Sequence, residues 1–365
     1  MQNIEPLISF IMPNFNNEHV LDLFFQKLYQ NNTYENYELI VTDDGSTDNS
    51  LELLYKWQKS GKFRNFKIIA EPHKGIINAL NKCLYAAKGD FIIRLDGDAT
   101  IESKSFVEKF LEFYNVSPDK IGVITSKVID DKNILHALGR NVISEKGLHN
   151  RGYVISEEVG NRTFDGGILL DKKLNEYIDM PAECDTALGV CTFSDRETAL
   201  KIGGFDYNYP LWIEDDDFYL AYRLHNKKCF YLPSVRICHR FSLRGSRKTA
   251  KNIFELKKFK QYIDKTFQNT LKTLCFLNVF IFNKICFSIL YKNFDFKIET
   301  NPWRINILKH DYKYWKSKWG FDVLNPDMNI VKEKYKNTEI LWNYDEKMRQ
   351  DGIDIINKYL SLKKL

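Results

Sequence analysis

The chain has 365 residues, of which 44% are hydrophobic and 14% aromatic, so it can bury a full core. This composition excludes a disordered chain and a small fold held together by disulfides. The seven cysteines form no Cys-x-x-Cys pair and no signal-like segment opens the chain, which predicts a cytoplasmic location without a structural zinc site. The net charge of +5 is uneven, because residues 240–365 hold 26 Lys and Arg against 13 Asp and Glu. We expect the acidic remainder to bind no nucleic acid and the basic part to suit an anionic membrane surface.

The first hundred residues alternate short apolar runs with helical patterns. Predicted strands cover residues 7–12, 37–42, 66–70 and 91–95, and predicted helices cover residues 20–29, 50–59 and 75–87. Connections this short specify a mostly parallel sheet with helices on both faces. In such sheets ligands bind at the carboxyl ends of the strands, so the loops after the strands are the first place to search for a site.

Acidic side chains follow the second and fourth predicted strands. Asp96 and Asp98 flank Gly97, so both carboxylates can project to one side while a ligand approaches closely. Two such oxygen ligands suit Mg²⁺ or Mn²⁺ bridging a diphosphate, although Asp-Gly-Asp is also an ordinary turn sequence. Asp43 and Asp44 provide more acid than helix capping needs, and a carboxylate there can accept hydrogen bonds from a ribose hydroxyl or a uracil-type imide. No GxGxxG or Walker sequence accompanies these loops, which counts against dinucleotide enzymes and Walker-type phosphotransferases.

Four elements in order resemble those of glycosyltransferase family 2, the inverting nucleotide-sugar transferases of the GT-A fold. They are PNFN at residues 13–16, VTDDGSTD at residues 41–48, the helix that starts at Lys74-Gly75 and ends in AKGD at residues 87–90, and Asp96-Gly97-Asp98 at the family's DxD position. The resemblance implies an α/β fold of GT-A type, with a Rossmann-like, mostly parallel central sheet and a helical C-terminal region. It also implies a set of residues that bind the nucleotide sugar: Pro13, Asn14, Phe15, Asn16, Asp43, Asp44, Lys74, Gly75, Asn78, Arg94, Asp96, Gly97 and Arg244.

The resemblance continues to about residue 245. Its later elements are GGFD at residues 203–206, WIEDDDF at residues 212–218, Arg223, Pro233 and His239. It implies that Asp215, with Glu214 beside it, is the catalytic base.

The same resemblance implies that His239 joins Asp98 and Asp96 at the metal, and that Trp212 and Asp217 contact the acceptor. The run of four acids at residues 214–217 also suits the dipole of a helix N-terminus. Like charges so close together nevertheless raise the pKa of at least one carboxyl, which favours a role as a base.

We therefore expect residues 1–245 to form a glycosyltransferase domain, with a nucleotide-binding half at about 1–100 and an acceptor-binding half at 101–245. Residues 246–365 are expected to form a helical, basic region that contacts the cytoplasmic face of a membrane peripherally. The expected reaction is a Mn²⁺- or Mg²⁺-dependent, inverting transfer from a nucleoside diphosphate sugar, first of all a UDP-sugar, to a glycan or lipid-linked glycan in polysaccharide biosynthesis at the cell envelope. Two alternatives stay open: a sugar-nucleotide nucleotidyltransferase, and a non-catalytic carbohydrate-binding scaffold of the same fold.

Overall fold

The computed structural model describes residues 5–131, 134–144, 149–150, 163–164, 167–169, 178–210, 213–240 and 302–363. The chain forms two compact units, one of Met1–Arg244 with Asp311–Leu365 and one of Gly245–His310. In the second unit only residues 302–310 are described, and they are helical. The predicted domain boundary at residue 245 lies outside the described residues and stays a prediction.

The N-terminal part of the first unit alternates strands and helices. In chain order its elements are β1 (Ile8–Asn14), α1 (Glu18–Asn31), β2 (Tyr37–Asp44), α2 (Ser50–Lys59), β3 (Phe66–Glu71), α3 (Ile76–Ala86) and β4 (Phe91–Leu95). Strands β4, β1, β2 and β3 lie side by side in that order and are all parallel. Both β1 and β2 run two residues further than the sequence predicts, because their pairing continues until Asn14 lies opposite Asp43. The polar ends of these strands therefore meet at one edge of the sheet.

The sheet then continues with strands of mixed direction. The elements are β5 (Ala99–Ile101), α4 (Phe106–Tyr114), β6 (Ile121–Asp130), β7 (Ile134–Ala137), β8 (Arg140–Asn141), β9 (His149–Asn150), β10 (Thr163–Phe164), β11 (Gly167–Leu169), β12 (Ala182–Cys184), β13 (Cys191–Asp195), α5 (Arg196–Ile202), α6 (Glu214–Ala221), a 3₁₀ turn (Tyr222–His225) and β14 (Lys228–His239). Strand β13 lies antiparallel between β4 and β6, and β14 runs parallel to β6 and antiparallel to β5. The last pairing sets His239 opposite Ala99, beside the DxD turn.

Apolar residues of β1 alternate between two cores, one on each face of the sheet. Phe10 belongs to the core built with α1, α2 and α4, whereas Ile11 belongs to the core built with α3. This arrangement confirms the predicted α/β class with a mostly parallel central sheet, in which the antiparallel pairs lie beyond β4.

The described C-terminal residues, 302–363, are mostly helical, as predicted for this region. It comprises α7 (Pro302–Trp319), α8 (Met328–Lys334), a 3₁₀ turn (Glu339–Leu341) and α9 (Glu346–Leu362). Trp315 and Trp319 pack in one core cluster with Tyr209 and Ile213, so residues 311–363 complete the first unit. Within the described part of the chain, no helix is both long and apolar enough to cross a membrane.

Candidate active site

Asn14 and Asp43 lie at the ends of β1 and β2, where the sequence predicts the nucleotide site. The Asn14 amide donates to Asp43 Oδ2 at 2.7 Å, and the Ser46 N–H and hydroxyl donate to the two Asp43 oxygens at 3.0 and 2.7 Å. Asn14 and Asp43 are both buried. Asp43 therefore fixes the turn after β2. Because a carboxylate has about four acceptor positions, it keeps capacity for a donor from a ligand.

Asp44 ties the end of β2 to the loop before α3. Its Oδ1 accepts the Lys74 N–H and its Oδ2 accepts the Gly75 N–H, both at 2.8 Å, and His73 Nδ1 lies 2.8 Å from Oδ2. Gly75 has a φ of 95°, a value that glycine adopts far more readily than other residues. Asp44 thus fixes the loop that contains Lys74 and Gly75, two other residues predicted to bind the nucleotide sugar.

An aromatic pair lies beside this loop. The Phe15 and His73 rings stack with centroids 4.3 Å apart, and Phe15 is 42% exposed. Asn16, at a φ of 55°, turns the chain after β1, and its side-chain oxygen accepts the Thr47 N–H at 2.8 Å. An exposed ring at this edge of the sheet offers a surface on which a planar nucleobase can stack.

Three further residues predicted to bind the nucleotide sugar, Pro13, Asn78 and Gly97, lie near this edge of the sheet. Pro13 is buried in β1, and Asn78 lies in the first turn of α3, where its Nδ2 finds no acceptor among the described residues. A Cβ on Gly97 would come within 2.8 Å of the Asn17 side-chain nitrogen. The DxD turn therefore fits closely against the residues that follow β1, and a side chain at residue 97 would displace the Asn17 amide.

Asp98 and His239 meet where β5 begins and β14 ends. His239 Nε2 lies 3.1 Å from Asp98 Oδ1, and both side chains are buried. Two ligands about 2.1 Å from one cation and at right angles stand about 3 Å apart, so this pair fits two adjacent positions around Mg²⁺ or Mn²⁺. No group of three His, Cys, Asp or Glu forms among the described residues. The other positions therefore suit phosphate oxygens and water, which Mg²⁺ commonly retains.

Arg94, near the end of β4, links the DxD turn to the acidic turn of α6. Its Nε donates to Asp96 Oδ1 at 3.2 Å, and the guanidinium is buried. Burial opposes the charged form of Arg94, but nearby acidic groups, which include Asp96, Asp215 and Glu214, raise its pKa above the ordinary value. A Cβ on Gly189 would collide with the guanidinium, so glycine is required there. One arginine therefore interacts with carboxylates from both parts of the predicted site.

Residues 189 and 190 bring Asp96 and Asp215 together. The Gly189 N–H donates to Asp215 Oδ2 at 2.8 Å, and the Asp96 N–H donates to the Val190 carbonyl at 3.0 Å. Because Gly189 and Val190 are consecutive, the two acids are held against one short segment. The structure thus places the predicted base close to the first acid of the predicted metal motif.

The first turn of α6 consists of four buried acids, residues 214–217. Burial, followed by the neighbouring Asp215 charge, raises the pKa of Glu214 well above its ordinary value, and Glu214 Oε2 has no hydrogen-bond partner in the described structure. Burial also raises the pKa of Asp216 well above its ordinary value. The turn therefore contains two carboxyls of raised pKa directly beside Asp215.

Arg140, in β8, is a residue of this site that sequence analysis missed. Its Nη1 lies 2.8 Å from Asp216 Oδ2 and 3.7 Å from Asp215 Oδ1. Asp215 Oδ1 also accepts the Asp216 N–H at 2.9 Å. In the sequence Arg140 is simply an arginine after a glycine in a region without periodicity, and this pattern does not predict which residues it contacts.

Asp217 is held by the C-terminal helix α7. Trp319 Nε1 and Lys318 Nζ donate to its two oxygens at 2.8 and 2.7 Å, and the Tyr209 hydroxyl donates to Oδ1 at 3.2 Å. Burial raises the pKa of Asp217. These contacts tie the first turn of α6 to α7, and the acceptor contact predicted for Asp217 stays a prediction.

Two predicted site residues lie outside the described residues: Trp212, predicted at the acceptor, and Arg244, predicted at the nucleotide sugar. The roles predicted for them stay predictions. The other predicted donor and metal residues lie at or near the carboxyl ends of β1, β2 and β4, at the start of α3, or at the end of β14.

Comparison with known proteins finds similarity to glycosyltransferases. Residues 9–176 match the family model described as Glycosyl transferase family 2. Chondroitin synthase of Pasteurella multocida (strain Pm70) is 27% identical over 239 residues, which are 61% of this chain and 23% of that protein. An uncharacterized glycosyltransferase of Haemophilus influenzae is 38% identical over 109 residues, which are 30% of this chain and 32% of that protein. The chain thus spans about a quarter to a third of the length of these relatives.

Among solved structures, the mannosyltransferase PcManGT of Pyrobaculum calidifontis, in complex with GDP-Man and Mn²⁺, aligns with a TM-score of 0.48 and 13% identity. The alignment covers 98% of this chain and 87% of that one. The family match covers β1 from its second residue, β2, β3 and β4, the loops after them and the DxD turn. Residues 9–176 of the chain are therefore similar to glycosyltransferase family 2.

Proposed function

We propose that the protein is a metal-dependent, inverting glycosyltransferase that moves a sugar from a nucleoside diphosphate sugar, first of all a UDP-sugar, to a glycan or lipid-linked glycan. The observation that carries the proposal is that Asp96 and Asp215 both bond to the Gly189–Val190 segment, with Arg94 bonded to Asp96 and with Asp98 of the DxD turn paired with His239. The curated relatives, a chondroitin synthase and an uncharacterized glycosyltransferase, support glycan synthesis as the class of reaction.

The nucleoside end of the donor is assigned to the loops after β1 and β2. The exposed Phe15 ring offers a stacking surface for the base, and Asp43 keeps acceptor capacity for an imide or ribose hydroxyl. The loop at Lys74 and Gly75, held by Asp44, lies beside them and contributes a cationic side chain. These residues bind and orient the donor without taking part in bond breaking.

Asp98 and His239, with Asp96 directly or through water, are the residues that would hold a divalent cation. When bound, such a cation stabilises the negative charge that develops on the departing nucleoside diphosphate. The Arg240 N–H donates to the Asp98 carbonyl at 2.8 Å, so the protein backbone fixes the turn before any ligand binds. Such preorganisation lowers the cost of assembling the site around the diphosphate.

Asp215 is proposed to accept the proton of the acceptor hydroxyl as that oxygen attacks the anomeric carbon. Attack from the side opposite the diphosphate inverts the configuration at that carbon. The Gly189 and Asp216 N–H groups orient the Asp215 carboxylate, so it is aligned before the acceptor arrives. Glu214, whose pKa burial raises, is the other carboxyl of this turn that could exchange a proton with a substrate.

Two alternative functions differ in what they consume. A sugar-nucleotide nucleotidyltransferase requires a sugar phosphate and a nucleoside triphosphate, whereas a carbohydrate-binding scaffold leaves every nucleotide sugar intact. The ordered contacts of the acids Asp43, Asp98 and Asp215 favour a transferase over a scaffold, because each acid is oriented by hydrogen bonds at the edge where ligands bind.

Thermal unfolding in the presence of nucleoside diphosphates and their sugars, with Mn²⁺, tests the proposal. A ligand at 100 times its Kd stabilises the folded state by about 2.7 kcal/mol, so the cognate donor identifies itself by the rise in Tm. We expect one nucleoside diphosphate sugar to raise Tm with Mn²⁺ and to lose most of this effect in EDTA. Absence of a shift with every nucleotide sugar would contradict the proposal, and turnover that requires a sugar phosphate would favour the nucleotidyltransferase.

The lipid-linked acceptor and the location at a membrane are proposed from the positive charge of residues 240–365. The excess of Lys and Arg in residues 240–365 supports peripheral contact with an anionic membrane on the cytoplasmic side, where a lipid-linked acceptor would be available. Flotation with anionic liposomes at low salt tests this contact. Protein that stays entirely in the aqueous fraction would argue against it.

A further inference from the structure

The end of α7 holds the acidic turn of α6 directly. Trp319 and Lys318 donate to the two oxygens of Asp217, and Lys318 Nζ also donates to Asp206 Oδ2 at 2.8 Å. Asp217 and Trp319 are each only 2% exposed, so these bonds form where an unpaired group is costly. Asp217 lies two residues after Asp215 in the same helical turn, so contacts that fix Asp217 also fix the backbone that carries Asp215.

Trp342 is linked to the same turn of α6 indirectly, through Asp185 and Arg140. Its Nε1 donates to Asp185 Oδ1 at 2.6 Å, and Asp185 Oδ2 accepts the two backbone N–H groups of residues 142–143, both at 2.7 Å. The Asp185 N–H donates to the Arg140 carbonyl at 3.1 Å. The Arg140 side chain in turn contacts Asp215 and its neighbour. Hydrogen bonds from Trp342 to Arg140, followed by an ion pair between Arg140 and Asp215, therefore connect Trp342 with the carboxylate proposed as the base.

Buried charges anchor the segment between the two tryptophans. Glu339 Oε2 accepts Lys228 Nζ at 2.7 Å, and the Glu339 carbonyl accepts Arg223 Nη1 at 3.1 Å. Both cations are fully buried, and the Arg223 guanidinium lies 5.3 Å from the centre of the Trp342 ring. The segment is therefore fixed to the protein interior by charge-assisted hydrogen bonds, which are stronger than those between neutral groups.

We infer that residues 311–345, called here the C-terminal clamp, position Asp215 for proton transfer, with Trp319 and Trp342 as its positioning residues. The inference rests on the proposed function, because it takes Asp215 as the base. Each tryptophan acts through a buried carboxylate, Asp217 or Asp185. Without the indole N–H each carboxylate loses one of its donors, although Asp217 keeps Lys318 and Asp185 keeps the N–H groups of residues 142–143. The hold of each carboxylate on the residues around Asp215 therefore weakens.

The test compares Trp319→Phe and Trp342→Phe with a matched control in the full chain. Both variants keep an aromatic ring and lose the indole N–H. Trp57→Phe is the control, since Trp57 Nε1 donates to Asp22 Oδ1 at 2.8 Å in the α1–α2 pair and touches none of the proposed site. Steady-state transfer is measured over a range of pH, with thermal unfolding as a check that each variant is folded.

We expect kcat to fall about tenfold in each clamp variant, because one hydrogen bond to a charged group controls the alignment of the base. The KM for the nucleotide sugar should change less than about twofold, since the residues proposed to contact it lie in the loops after β1 and β2. The pH–rate profile should shift, which a merely structural loss would not cause. Trp57→Phe should keep kcat within about twofold. Wild-type kcat in both clamp variants would overturn the inference.

A second measurement does not depend on activity. The backbone N–H groups of Gly189 and Asp216 both donate to the Asp215 carboxylate, so their hydrogen exchange reports how firmly that carboxylate is held. Both should exchange faster in the clamp variants and at the wild-type rate in Trp57→Phe. Unchanged exchange in both clamp variants would overturn the inference. A wild-type protein that transfers no sugar would refute the proposed function, and the exchange rates would still decide whether the clamp holds Asp215.

Discussion

Replacing Asp44 with asparagine measures how strongly β2 holds the loop before α3. The two carboxylate oxygens accept the Lys74 and Gly75 N–H groups at 2.8 Å each, and Asp44 is 2% exposed. Asparagine keeps the shape and one oxygen, so one N–H keeps its acceptor while the other faces an NH₂ group. A hydrogen bond to a charged group contributes about 1.5–3 kcal/mol. We therefore expect the free energy of unfolding to fall by about 2 kcal/mol.

Urea unfolding monitored at constant pH gives this difference, with an unchanged m value as the sign that only stability has changed. Asp90→Asn is the control, because its carboxylate accepts a single exposed N–H, from Leu7 at 2.9 Å, and should lose less than about 1 kcal/mol. Affinity for a nucleoside diphosphate should fall in Asp44→Asn and not in the control. A loss of less than about 0.5 kcal/mol in Asp44→Asn would refute the role given to this carboxylate.

Three further predictions concern the metal, a buried acid and a buried cation. EDTA should abolish transfer and Mn²⁺ or Mg²⁺ should restore it, whereas full activity in chelator would contradict the role of Asp98 and His239. Because burial raises the folded-state pKa of Glu214 above the ordinary 4.5, its neutral form contributes stability that is complete below that value and is lost as pH rises through the folded pKa. Glu214→Gln should therefore raise the free energy of unfolding more at pH 8 than at pH 5, and an equal change at both pH values would count against the shift. Lys228→Met leaves Glu183 and Glu339 without a buried cation that lies 3.4 and 2.7 Å away, so denaturant unfolding should show a loss of about 3 kcal/mol; an unchanged midpoint would refute this.

The parallel half of the fold can be predicted from the sequence because its signals are local. Short apolar runs alternate with helical patterns, and this alternation alone specifies parallel strands with ligand-binding loops at their carboxyl ends. The strand ends are less predictable. Sequence patterns assign Asn14 and Asp43 to turns because both residues are polar. In the structure they belong to strands, because the pairing of β1 with β2 continues as far as these two residues.

The contacts of the acidic turn cannot be predicted in this way. Four acids at residues 214–217 indicate a helix N-terminus, but their spacing does not show that Asp217 faces Trp319 or that Arg140 faces Asp216. These partners lie far apart along the chain, and only tertiary packing selects them. The sequence likewise does not show that Lys318 and Trp319 donate to Asp217, and the acceptor role of Asp217 stays a prediction.

The claim at the centre of this account is that Asp215 accepts the proton of the acceptor hydroxyl while the nucleotide-sugar donor is bound at the loops after β1 and β2. The most direct test is kcat for transfer by Asp215→Asn at saturating donor and Mn²⁺, measured together with the donor Kd. Loss of a general base costs about 10²–10⁴-fold in rate, so we predict a fall of about a thousandfold with a donor Kd within about threefold of the wild type. Transfer by Asp215→Asn at the wild-type rate would contradict the account.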